Sequence, residues 1–158
     1  MPLTITTMDA VKTVSKPWGY ERWIADGTSP FRYALKEIVI KAGNRSSIQF
    51  HEAKQETNVV KEGRGVLHYS EQPLDVAKYK AGGYSADECR AFVAAMKQKP
   101  IGPGTVFHVQ PGYLHRVESV DDLLMVEAST TELDDVIRLA DDANRPSGRI
   151  ESEHSPRT

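Results

Sequence analysis

Gln49, His51 and Glu56 lie between Gly43 and Gly63, and His115 closes a second block that opens at Gly104. Gln49 and His51 alternate about Phe50, which on a β-strand sends both side chains to one face, and a carboxylate follows shortly after. With the imidazole of His115 the set offers two nitrogens and two oxygens. That is the mixed donor chemistry of one divalent ion, Zn, Mn, Fe or Ni, with Zn or Mn first among them. Taken singly, His51 and Glu56 read as a surface strand carrying a charge pair. Their joint spacing between two glycines, with a second block beside it, is what makes them candidate metal ligands. His115 gains from Pro111-Gly112, a tight turn that aims the strand after it. Gln49 is a neutral amide and the weakest donor, with a cross-barrel hydrogen bond as its alternative. His68 and His108 sit on strand patterns as ordinary core or surface groups, and His154 falls in a polar tail.

The elements that must carry these residues are short and alternating. Tyr20 to Ile24, Phe31 to Ile40, Ser47 to His51 and Thr57 to Val60 are separated by Gly27, Gly43 and Gly63. Period-two runs divided by glycine turns predict antiparallel β. Thr105 to Val109, His115 to Ser119 and Leu123 to Ser129 repeat the pattern. The total is roughly eight to ten strands, as a double-sheet jelly roll requires, and such a barrel has a mouth for one small ligand. One stretch departs from this. Ser85-Ala-Asp-Glu88 has the form of a capping box, and the apolar residues at 89, 92, 93 and 96 follow helical spacing, predicting one helix over 86–98. It belongs to an insertion over 65–103, between the two blocks, expected to cover the pocket or to meet a partner subunit.

The blocks resemble the two-part signature of the cupin superfamily. Every spacing of the first block fits, with Gln49 where most cupins carry a first histidine. In the second, Gln110 stands for the proline and Ser119 for the asparagine. Glutamine at the first position, together with Lys16-Pro17-Trp18-Gly19, the strand Ser46 to His51, Gly112-Tyr113-Leu114-His115-Arg116 and the ending Asp134 to Leu139, resembles the cupin domain of type II mannose-6-phosphate isomerases. The likeness runs over about 110 residues between 14 and 145. It departs at Glu52-Ala53, where that family carries two histidines, and no nucleotidyltransferase domain accompanies it.

The resemblance implies an all-β cupin double-stranded β-helix, a homodimer, and one divalent metal on Gln49, His51, Glu56 and His115. It also implies an aldose–ketose isomerase acting on a sugar phosphate. Phosphate needs cations; Arg45 and Lys36 match basic positions of the family, and Arg116 matches the arginine after the metal histidine. As a strand neighbour of His115, Arg116 points to the opposite face unless the strand is bulged. Catalytic roles are expected of Arg116, Lys54 and Glu52, with Glu118 and Glu127 as further proton carriers, although Glu52 points away from His51 on a regular strand. Two rivals stand beside this. Two histidines and one carboxylate also form the triad of non-haem iron oxygenases, and Ala53 in place of a histidine suits a sugar-binding module without catalysis.

Composition narrows the partners. The 158 residues fit one domain over 1–145, followed by a polar, flexible tail over 146–158. With 20 Lys and Arg against 22 Asp and Glu there is no basic field for nucleic acid. Cys89 has no partner for a disulfide, the opening residues do not form a leader, and no run is apolar enough to span a membrane; together these predict a cytoplasmic protein.

Overall fold

In the computed structural model, residues 3–140 and the backbone of 148–149 are described. The tail expected over 146–158 and the boundary at 145 otherwise lie outside the described residues. Twelve strands form two six-stranded antiparallel sheets among the described residues. The first sheet orders β1 (Lys12–Lys16), β2 (Gly19–Asp26), β3 (Ala34–Ile40), β10 (Leu123–Ser129), β5 (Glu56–Glu62) and β8 (Val106–Val109). The second orders β12 (Gly148–Arg149), β11 (Ile137–Ala140), β4 (Ile48–Phe50), β9 (His115–Ser119), β6 (Gly65–Tyr69) and β7 (Lys97–Ile101). This is a jelly roll, and the period-two runs of the sequence are its strands.

The count exceeds the eight to ten anticipated partly because the ends of the insertion are themselves strands. β6 and β7 pair along their full lengths, with Pro100 tolerated because β7 is an edge. Between them run two helices rather than one, α1 (Val76–Lys80) and α2 (Ala86–Ala94). The capping box forms as its sequence predicts: Ser85 Oγ accepts from the Glu88 amide at 3.1 Å, and Glu88 accepts from the Ser85 amide at 2.7 Å. The helix ends short of residue 98 because Lys97 is drawn into pairing with Tyr69.

The two helices of the insertion do not cover the barrel interior. Tyr79, Phe92, Val93 and Met96 pack on Ile48, Phe50, Leu114 and Ile137. Those residues alternate with inward-facing Gln49, His115 and Arg138, so the helices cover the outer face of the second sheet.

Inside, one end is apolar. Trp18, Ile38, Ile40, Val60, Leu67, Ile101, Val117, Leu123 and Met125 form one cluster, each large side chain stabilising by about 1.5–3 kcal/mol relative to exposure. Trp18 enters it through the β1–β2 turn, where Gly19 has φ +155° and a Cβ would sit 2.0 Å from the Val39 carbonyl oxygen. Only glycine fits there. No helix of the described residues is long and apolar enough to cross a membrane.

Candidate metal centre

Two rows of side chains face each other across the other end of the barrel. Cross-strand register places partners on the same face of a sheet. In the first sheet Trp23, Lys36, Glu127, Asn58 and Phe107 stand in register across β2, β3, β10, β5 and β8. In the second the row is Arg138, Gln49, His115, Tyr69 and Lys97.

His51 and Glu56 enter from the turn that joins β4 to β5, and His115 from the start of β9. Gly112, at φ +84°, donates its amide to the His51 carbonyl at 2.9 Å and so ties the two histidine segments together. A Cβ on Gly112 would lie 2.9 Å from the Leu74 carbonyl oxygen. All three side chains are buried, and their ligand atoms lie within 4.8 Å of one another. His51 Nε2 is 3.4 Å from one Glu56 oxygen, and His115 Nε2 is 3.5 Å from the other.

The rings are oriented for a metal. His51 Nδ1 lies 2.6 Å from the Asp135 carbonyl and His115 Nδ1 lies 3.1 Å from the Tyr113 carbonyl. A carbonyl only accepts, so Nδ1 carries the proton and each Nε2 presents a lone pair. Both Nε2 atoms are buried without a hydrogen-bond partner. Two orphaned lone pairs converging on a carboxylate cost stability unless a cation receives them, and a backbone bond at the opposite nitrogen is the usual support of metal-ligating histidine. The residues present fit a divalent ion. Gln49 stands across from His115, its Oε1 accepting from Ser47 Oγ at 3.0 Å, so the fourth expected ligand borders the cluster.

Lys54 is the central charge. Its ammonium donates to Glu56 at 2.8 Å and to Glu127 at 3.0 Å, and it is only 3 % exposed. Burial would lower its pKa, but Glu127 and Glu56 together outweigh that and hold it above the ordinary lysine range. Burial works against the Glu56 carboxylate too, yet Lys54, His51 and His115 keep its pKa well below the usual value. Burial pushes His115 down to about 4, against the opposing pull of Glu56. Glu127 goes the other way: burial and then Glu56 raise it, with Lys54 and Lys36 opposing.

The cavity beside these residues has a volume of ≈ 70 Å³. Its lining includes Lys16, Lys36, Lys54 and Arg138 against Glu21, Glu56 and Glu127. Lys36, buried, sits 3.4 Å from Glu21 and 4.6 Å from the centre of the Trp23 ring.

Three expected site residues are elsewhere. Glu52 pairs with Lys80 of α1 at 2.7 Å on the outer side. Arg45 reaches Glu118 at 4.0 Å and is partly exposed. Arg116 is buried but donates Nε to the Ser46 carbonyl at 2.7 Å; β9 is regular there, so alternation turns it away from His115. None of the three lines the cavity, and Glu118 is held by His68 at 2.8 Å. Arg138 and Asp135 enter the sequence analysis only within the ending Asp134 to Leu139, with no site role of their own. Arg138 carries a further signal, being a lone cation in an apolar strand, whereas Asp135 acts over more than eighty residues.

No family model matches the sequence, and no curated protein matches it either. Solved structures do match in fold. CapF, the capsular polysaccharide assembling protein of Staphylococcus aureus, superposes with TM-score 0.60 at 15 % identity, covering 83 % of this chain and 32 % of CapF. The ectoine synthase of P. lautus gives 0.59 at 14 %, covering 82 % and 78 %, and KdgF of Halomonas sp. 0.59 at 13 %, covering 84 % and 98 %. The fold is that of the cupins. The chain spans about a third of the length of CapF and of a Lactobacillus farciminis oxalate decarboxylase. At such identities the likeness establishes the cupin fold and does not single out the phosphomannose isomerases.

Proposed function

We propose that this cupin is a metal-dependent isomerase of a small phosphorylated sugar, mannose 6-phosphate being the first candidate. The observation that carries the reading is a buried His51, Glu56 and His115 cluster opening on a cavity whose side chains are net cationic. Similar folds occur in a polysaccharide assembling protein, ectoine synthase and oxalate decarboxylase, so the choice rests on side chains rather than on fold.

His51, Glu56 and His115, with Gln49 beside them, would hold the ion. When bound, Zn or Mn polarises a sugar oxygen as a Lewis acid. Four cations against three carboxylates favour an anionic substrate and the negative charge that develops when a C–H proton leaves. Lys36, one of the three expected cations, and Arg138, in place of Arg45 and Arg116, orient the phosphate. Glu127, its pKa raised and its side chain lining the cavity, carries the proton at its carboxylate oxygen; Lys54 steadies both Glu127 and Glu56 and does not itself exchange protons near neutral pH. The reading includes a homodimer, checked by light scattering, and neither nucleic acid nor membrane as a partner.

The His51, Glu56 and His115 trio also matches the facial triad of an iron oxygenase, so the test distinguishes the two. Purified protein loaded with Zn, Mn or Fe is offered mannose 6-phosphate and other aldose phosphates in D2O, with NMR and an oxygen electrode. Solvent deuterium at the carbon next to the carbonyl, with no oxygen consumed, is the expected result. Oxygen uptake, or no exchange with any aldose phosphate, would overturn the isomerase.

A further inference from the structure

We propose that Asp135 is a positioning residue of the metal centre, which fixes both the ring orientation of His51 and its separation from Glu56 by clamping the turn between them. The turn 51–55 belongs to no strand, so its amides need partners from elsewhere. Three consecutive amides, those of Glu52, Ala53 and Lys54, donate into the Asp135 carboxylate at 2.8, 2.6 and 2.8 Å. The carbonyl of the same Asp135 accepts the His51 Nδ1 proton at 2.6 Å. The next amide, Gln55, donates to Thr130 Oγ1 at 3.1 Å, and the Thr130 amide returns a bond to the Gln55 carbonyl at 3.0 Å. Every backbone N–H from 52 to 55 therefore ends on the segment 130–135.

The geometry gives this clamp a specific consequence. His51 and Glu56 sit at the two ends of the turn, so its conformation sets the distance between two of the three converging side chains. Three amides on one carboxylate form a concave anion site, which accepts a fixed negative charge and little else. Burial opposes charge on Asp135, and the three amides overcome it to keep its pKa below the usual carboxylate value. Asp135 does not line the cavity, and it bonds to His51 and the turn, through which its effect on the centre passes.

The test uses the full chain with Asp135→Ala and Asp135→Asn, and with Leu133→Ala as a control. Leu133 lies in the same segment and packs on Val14, Trp23 and Ala34, away from the turn. Two readouts are taken: the ¹⁵N-edited NMR signal of the His51 Nδ1 proton in metal-free protein, and Zn or Co affinity by competition with a chromophoric chelator. Asp135→Ala is expected to lose the protected low-field Nδ1 proton and to weaken metal binding about 10–100-fold, the range for groups that support a ligand. Asp135→Asn, which keeps one acceptor oxygen but sets an amide against an amide, should fall between that variant and the unaltered chain. Leu133→Ala should lower the melting temperature and leave both readouts unchanged. Retention of the proton signal and of full affinity in Asp135→Ala would overturn the proposal. The affinity arm rests on the metal reading above and the NMR arm does not. An unaltered chain that binds neither ion sinks that reading, while the Nδ1 proton still decides the role of Asp135.

Discussion

The two ends of the barrel interior are built on opposite principles. At one, Ile40, Val60, Leu123 and their neighbours fill space with side chains that need no partners. At the other, Lys36, Lys54, Glu56, Glu127, His51 and His115 are buried within one barrel and depend on one another. Buried ion pairs rarely out-stabilise apolar side chains of the same volume, because desolvation costs several kcal/mol per ion. Stability does not account for the charged end. The proposed site, which would hold a cation and favour an anion, would account for it.

Breaking the cluster itself should give the largest effect. His51→Ala is expected to lower Zn or Co affinity by more than about 100-fold while circular dichroism still reports the β fold; undiminished metal content in the purified variant would refute the centre. Next in size is Lys54→Met, which leaves Glu56 and Glu127 facing each other without a cation and should destabilise by about 3–5 kcal/mol. Adding Glu127→Gln should recover part of that loss, since one of the stranded charges is gone. Leu123→Ala at the apolar end costs a comparable amount, about 2–5 kcal/mol, but its loss should not change between pH 5 and pH 8, whereas that of Lys54→Met should shrink as the carboxylates protonate. Equal pH dependence in urea melts of the two variants would erase the contrast between the ends.

A third expectation concerns acid. His115 has a pKa of about 4 in the folded chain against 6.5 unfolded, so between those values the unfolded state binds the proton that the folded state refuses. Stability of the metal-free protein therefore falls as the pH drops from about 6.5 toward 4, by at most about 3 kcal/mol. Glu56, with its lowered pKa, adds a loss of the same sign below about 4.5. His115→Gln should flatten the upper part of that profile. The smallest effect lies outside the barrel: Ser85→Ala removes the α2 cap, costs about 1 kcal/mol, and leaves metal affinity where it was.

The α2 cap and the 51–55 turn also differ in how much of them could be read beforehand. Ser85 and Glu88 are three residues apart and satisfy each other's amides, so the motif is complete within its own window. The helix boundary was read less well, because pairing of Lys97 with Tyr69 lies beyond that window. The alternating strands and the glycine turns were legible for the same local reason. Of the expected cations Lys36 and Lys54 line the cavity, whereas Arg45 and Arg116 follow from the motif alone, and strand alternation together with the Ser46 carbonyl sends Arg116 elsewhere. Lys16 and Arg138 reach the cavity because of how the two sheets face one another.

By itself the sequence determined the period of its strands, the places where glycine alone can turn the chain, the cap of its longer helix, and which residue types were available as metal donors. These depend on backbone sterics and on contacts between near neighbours. Tertiary structure alone decided how close His115 on β9 comes to His51 at the end of the neighbouring strand β4, that Lys54 joins Glu56 to Glu127, and that Asp135 gathers three amides from a turn more than eighty residues away. Burial and charge pairing act through distance in space, and that distance exists only once the sheets have closed on each other.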